Sequence, residues 1–450
     1  MPLLDLPNEL LLDIVHHLEA DSDISRFSQT SVRLHHLLND YLYANNVQRH
    51  GSSALFWAAH HGMEETARRL LSKGANVEVK DSEHRYTERH ISASQTPLAI
   101  ASFGGHLNVV RCLVENGAVI NRRDSSGMTA LARAASRGHT AVVRFLEEKG
   151  AELYAHIAAI SPLNIAAENG HEEVVRFLVD KGVNVNSRDD IGETALWGAA
   201  DYGHVAVVKL LIDKGAEFDF PNNDGLTPLG SAAFRGRGEV VKLLLEKGAS
   251  VNFRNDSERT PLSEATIADN PELVRLLVEN GAKIDLKDDR GQTALALAAS
   301  AGFCRTVEML IELGANIESR DDVGCTPLWT AVEAGHEAVI KLLVEKGADI
   351  HTRDLDEQPP IFRTVYQSRK DIIELLFELG FDIDPKDRDG QTPLWDAVLH
   401  RDNDIVKLLV ELGADVHSED VDGVSPLGYA RKYGSHDLIE LLQGADAMSN

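Results

Sequence analysis

The chain has 450 residues and carries 71 acidic against 45 basic side chains, a formal net charge of -26. That balance repels nucleic-acid backbones and anionic membrane surfaces, so neither is expected as a partner. Cys112, Cys304 and Cys325 are too few and too irregularly spaced for a disulfide framework or a zinc site, and read as packing residues in a reducing compartment. No apolar run approaches membrane-spanning length, and Met1-Pro2-Leu3-Leu4-Asp5 has no basic flank, so no secretory signal is expected and the expected location is cytosol or nucleus.

The first fifty residues have a pattern of their own. Leu6, Leu10, Ile14 and Leu18 fall four apart and so share one helical face, with Pro7 in a tolerated first-turn position. Asp21-Ser22-Asp23 offers capping oxygens before Ile24 and Phe27 open a second apolar face, and Leu34, Leu37, Leu38 and Leu42 supply a third. Three helices this short bury little surface and need something to dock on. Residues 3–45, through Leu6-Pro7-Asn8-Glu9-Leu10 and the apolar positions that follow, resemble an F-box, a three-helix module that in its family binds the Skp-type adaptor of cullin-based ubiquitin ligases. The resemblance implies adaptor binding by Leu6, Pro7, Leu10, Ile14, Leu18, Ile24 and Phe27. Two departures stand out: Thr30-Ser31-Val32-Arg33 occupies the place of a usual valine, cysteine and basic residues, and Leu34 that of a common tryptophan. The other reading is that these helices only cap the array behind them.

From residue 53 onward one phrase recurs every thirty-three residues, slipping only to forty-three between Ser53 and Thr96 and to thirty-two between Thr129 and Ser161: Thr96-Pro97-Leu98, Thr129-Ala130-Leu131, Ser161-Pro162-Leu163, Thr194-Ala195-Leu196, and so on to Thr326-Pro327-Leu328 and Ser425-Pro426-Leu427. A period this strict decides the architecture. In the unit at 321–348, Asp321 and Gly324 suit a tight turn, Thr326 caps a first helix, Pro327 fills its first turn and Gly335 ends it. Val339-Ile340-Lys341-Leu342-Leu343-Val344 then forms the apolar face of a second helix, which Gly347 terminates. The pattern resembles the ankyrin repeat. The expected fold is therefore all-α, a solenoid of about twelve helix-turn-helix units over residues 46–445 with a tail at 446–450, closing glycines running from Gly74 to Gly444. Three places depart from it: a polar insertion from Val79 to His90, a lost finger turn at Tyr154–Ile160, and a tenth unit with Glu357 for glycine and Ile361-Phe362-Arg363 for the small residues.

Two columns of residues are candidates for recognition. Arg123, Arg188, Arg254, Lys287, Arg320, Arg353 and Lys386 precede the turn acids, either as a cationic column or as weak pairs with the adjoining Asp or Asn. Aromatic residues stand seven or eight positions after the anchor at Phe103, Tyr202, Phe234, Tyr366 and Tyr433, where the resemblance implies a groove that binds a target protein. The family's histidine after Thr-Pro-Leu is replaced by Trp329, Phe362 and Trp395 in three consecutive units, so these rings either line a pocket for the target or fill the junctions. No catalytic set, cofactor loop or metal-ligand spacing is found, and the histidines at 106, 139, 171, 204 and 336 recur at one structural position. The sequence is thus read as a monomeric, non-enzymatic interaction protein. By resemblance it is a substrate-recognition subunit that joins a Skp-type adaptor and cullin complex to a target; the alternative is an ankyrin scaffold or inhibitor.

Overall fold

The computed structural model describes residues 53–79, 95–154, 161–434 and 436–449. The F-box-like segment and most of the insertion at 79–90 lie outside the described residues, as do residues 155–160 of the lost finger turn. The described residues form twelve pairs of helices and no strand. They fall into two compact units that divide between Glu217 and Phe218, with five pairs before the division and seven after it.

Local chemistry explains each pair. The hydroxyls of Thr96, Thr129, Ser161 and Thr194 in the first unit, and of Thr227, Thr260, Thr293, Thr326, Thr392 and Ser425 in the second, accept the backbone N–H three residues on. Each such cap is worth about 1 kcal/mol. Among the first helices whose starts are described, Ile361–Tyr366 is the exception, because Pro360 stands at its start and supplies no side-chain cap. Along the second helices the apolar residues repeat at helical spacing; in Glu337–Glu345, Val339, Ile340 and Leu343 are buried. The final helix, His436–Ser449, corrects one expectation. It runs through Gly444, so the glycine that closes the other units ends nothing here.

Successive repeats are joined by a histidine that reaches backward. Nε2–H of His106, His139, His171 and His204 donates to the carbonyls of His60, Phe103, Ser136 and Glu168 at 2.9–3.0 Å, and in the second unit His336 does the same to Ser300. Each ring lies over the glycine that turns the previous first helix into its loop. Gly138 shows why that residue must be glycine: it has φ +73°, and a Cβ there would stand 2.6 Å from His171 Nδ1. The glycine and the histidine thirty-three residues later are one steric unit.

Arg237, Asn270 and Arg369 stand at the histidine position and still follow a glycine of positive φ, Gly203, Gly236 and Gly335, whereas at two junctions among the described residues both the imidazole and the glycine are replaced. Phe303 occupies the histidine position and its partner is Asp269 at φ 50°; Asp402 occupies the next such position and its partner is Ser368 at φ 55°. Asp269 and Ser368 then bridge to the following repeat, through Thr306 Oγ1 at 2.7 Å and through the carboxylate of Asp402. Arg369 substitutes for histidine differently, donating from its guanidinium to the Ala334 carbonyl at 2.7 Å across Gly335.

Candidate interaction surface

The finger turns are built on one carboxylate or amide per repeat. Asp321 Oδ1 accepts from Val323 N and Cys325 N at 3.1 and 2.8 Å, and Asp387 and Asp420 do the same two and four residues on. These side chains are occupied by their own backbone, which fits turns rather than cation loops. Cys325 is buried behind its finger, and burial with Asp321 nearby pushes its thiol up to about 12, so it packs and does not ionise.

The cation column is not a set of pairs with the neighbouring acids. Arg320 donates to the carbonyl of Gly324 in its own finger at 2.8 Å and to that of Arg353 in the next. Arg353 repeats the pattern with Glu357 and Lys386, and Lys386 Nζ reaches the carbonyl of Glu419 at 2.8 Å. Backbone bonds run beside them, from Asp322 N to Arg290 O and from Leu355 N to Val323 O. Arg254, Arg320, Arg353 and Lys386 therefore tie finger to finger, a role that depends on three-dimensional neighbours thirty-three residues away.

One residue pair shows how a finger is fitted to its own first helix. Asp124 forms an ion pair with Arg133 nine residues later, and at the same spacing the amide of Asn255 donates to Glu264 Oε1 at 3.0 Å. Arg133 and Glu264 are both buried, and burial raises the Glu264 pKa. The acid moves from finger to helix, and its partner changes from a guanidinium to an amide.

The aromatic candidates separate into two groups. Trp329, Phe362 and Trp395 are buried, Trp329 at 2 % exposure, so a target cannot reach their faces and the pocket expected of them is corrected to junction packing. The indole N–H of Trp329 donates to Gln358 O, and that of Trp395 to Val424 O, both at 3.3 Å and both in the next finger. Wide rings there close the junction and pin the following repeat.

Tyr202 in the first unit and Phe234, Tyr366 and Tyr433 in the second are exposed, and Phe103 is half-buried beneath the Arg137 guanidinium at 4.3 Å. Tyr202 lies parallel to His204 at 6.5 Å, and Arg235 stands 5.9 Å from the Phe234 ring. Tyr366 is the most open at 66 %, meeting the edge of His400 at 5.6 Å, and Tyr433 is open at 51 % with Lys432 Nζ 4.9 Å from its ring. Exposed aromatic side chains on rigid helices suit protein recognition. Two groups beside them, Arg401 and Lys432, belong to no recurring motif. The one signal pointing to Arg401 is that it replaces the glycine expected after a first helix.

Leu6, Pro7, Leu10, Ile14, Leu18, Ile24 and Phe27 lie outside the described residues. An F-box-like family model matches residues 3–49, an ankyrin-repeat model matches 50–82, and a model of three ankyrin copies matches 83–157, 158–222, 215–288, 262–354 and 361–450. Among solved structures, the human ASB11 ankyrin repeat domain is 30% identical over 51% of this chain and 98% of its own, with a TM-score of 0.45. The ankyrin repeat domain of Bcl-3, described as a unique member of the IkappaB protein family, is 30% identical over 49% of this chain and 100% of its own, with a TM-score of 0.46.

Proposed function

Because the chain belongs to the ankyrin-repeat family and carries an F-box-like segment ahead of its array, we propose that it is the substrate-recognition subunit of a Skp/cullin/F-box ubiquitin ligase. The coarser statement holds without that step: both families are protein-interaction modules and not enzymes. The pairing of one adaptor-type module with one interaction array carries the proposal. Residues 3–45 hold a Skp-type adaptor, the array at 46–445 holds a target, and effective concentration drives a ubiquitin transfer performed by other subunits. Cytosol or nucleus is the compartment such a role requires.

Affinity co-purification of the full chain with a Skp-type adaptor tests the proposal. Leu10→Asp and Ile14→Asp are expected to abolish adaptor recovery. Recovery that survives both changes, or no recovery from the unaltered chain, sinks the ligase assignment. In the second case the scaffold reading takes its place, with residues 3–45 serving as an end cap.

A further inference from the structure

Three consecutive first helices in the second unit, Ile361–Tyr366, Pro393–His400 and Pro426–Tyr433, end in a group of exposed rings and cations. Tyr366 meets His400 edge-on at 5.6 Å, and the next residue, Arg401, donates to the Tyr433 carbonyl at 3.1 Å. Lys432 stands over the Tyr433 ring, which in turn packs on Tyr429 at 5.0 Å. Two phenols and two cations thus follow one another across three repeats.

Asp396 and Asp402, the acids beside His400 and Arg401, have partners of their own. Asp396 Oδ1 lies 3.4 Å from His400 Nε2, and Asp402 accepts from Ser368 Oγ and from Ile405 N. Exposed charges are screened beyond about 8 Å at physiological salt, so the local cations and not the net charge of the chain govern what approaches here. A cation at a helix C-terminus is favoured by the helix dipole, and that accounts for Lys432. It does not account for Arg401, which adopts φ 58° where Gly302 and Gly335 end comparable helices at φ 79° and 76°. An arginine there costs about 1 kcal/mol against glycine, while keeping an exposed guanidinium of which one donor is bonded.

We propose that this face docks an acidic, extended segment of a partner protein, with Tyr366 and Tyr433 as apolar anchors and Arg401 and Lys432 as the groups that select its carboxylates. The proposal rests on the reading of the array as the target-holding part of the chain, and is independent of what the N-terminal segment binds. Packed helices stand about 10 Å apart and an extended chain advances about 3.3 Å per residue. Every third ligand residue therefore falls opposite a new repeat, which calls for Asp or Glu at that spacing between apolar side chains.

Fluorescence anisotropy on the full chain reads the outcome directly, using a labelled peptide of about twelve residues with Glu at every third position and Leu or Phe between, a Lys-for-Glu counterpart and a single-stranded oligonucleotide of equal charge. The acidic peptide is expected to bind at least about tenfold tighter than the lysine peptide and to weaken as salt rises. Arg401→Gly, Lys432→Glu and Tyr366→Ser are each expected to weaken it by about fivefold or more. Arg401→Gly removes the guanidinium and the left-handed arginine together, so its melting temperature should equal or exceed that of the unaltered chain. No binding of the acidic peptide, preference for lysine, equal binding of the oligonucleotide, or unchanged affinity in both Arg401→Gly and Lys432→Glu overturns the proposal. Adaptor recovery by Arg401→Gly, expected to be unchanged, separates failure of this face from failure of the ligase assignment.

Discussion

In the N-terminal unit His106, His139, His171 and His204 close successive junctions in the same way, each over a glycine with positive φ. Among the described residues of the C-terminal unit His336 alone keeps that arrangement, and all five non-glycine residues with positive φ, Glu258, Asp269, Glu357, Ser368 and Arg401, fall there. The same helix pair is thus stacked by two chemistries. A ring that must pass over a bare Cα holds both of its positions fixed. Where the histidine is absent the glycine is either kept, as Gly203, Gly236 and Gly335 are, or replaced by a side chain that bridges repeats, as Asp269 and Ser368 do, or presents a group outward, as Arg401 does. Glu258 and Glu357 instead replace the glycine of a finger turn, and it is in this unit that Tyr366, Arg401, Lys432 and Tyr433 gather.

The comparison is broken most severely by Gly138→Ala, which adds a left-handed alanine and a clash with the His171 ring. A loss of about 3 kcal/mol in the N-terminal unit is expected from chemical denaturation. His171→Ala should cost less, about 2 kcal/mol, through the lost bond to Ser136 O and the space left by the ring. If Gly138→Ala becomes harmless in the His171→Ala background, apart from its backbone cost, the two residues act as one steric unit. Equal penalties in both backgrounds would remove the basis of the comparison.

A gain is expected in the other unit. Glu357→Gly relieves an exposed left-handed residue and should raise stability by about 1 kcal/mol, measured as a higher denaturation midpoint. A loss would show that the Glu357 side chain holds its finger in some other way.

The smallest effects are those of pH, and the two units should respond with opposite sign. Burial lowers the His139 pKa, so its contribution is present above the ordinary histidine value near 6.5 and is lost as pH falls through the depressed one. Asp384 behaves in reverse. In other repeats Asn121, Asn186 and Asn252 use an amide N–H on the closing glycine carbonyl of the next repeat, at 3.1–3.4 Å, and their oxygen on a backbone N–H. Asp384 Oδ2 accepts from Asp415 N at 2.9 Å, but its buried Oδ1 has no partner, and burial raises its pKa. Its contribution is complete below the ordinary carboxylate value near 3.9 and is lost as pH rises through the raised one. Asp384→Asn should therefore stabilise by about 1 kcal/mol at neutral pH and by nothing in strong acid. A pH-independent difference in calorimetric midpoints would refute the account.

The repeat itself was legible because each of its parts acts within a few residues. Thr326 caps the helix that Pro327 begins, Asp321 binds amides two and four positions on, and Gly335 turns the chain, so spacing alone located turn, first helix and second helix. The period also fixed which positions are structural, including the five histidines. What spacing could not give was any relation between one repeat and the next. Arg320 looked like the partner of the adjacent Asp321 and instead bonds carbonyls in two fingers, because stacking brings Arg353 closer than chain order suggests. Trp329 and Tyr366 both looked like aromatic candidates for a groove. The stack buries the first against the following finger and leaves the second open, since burial is a property of neighbours and not of residue type. Gly444 looked like a closing glycine and lies within a helix. Local hydrogen bonding and steric limits thus determined the fold from sequence, while the tertiary structure decided which side chains remain free to meet a partner.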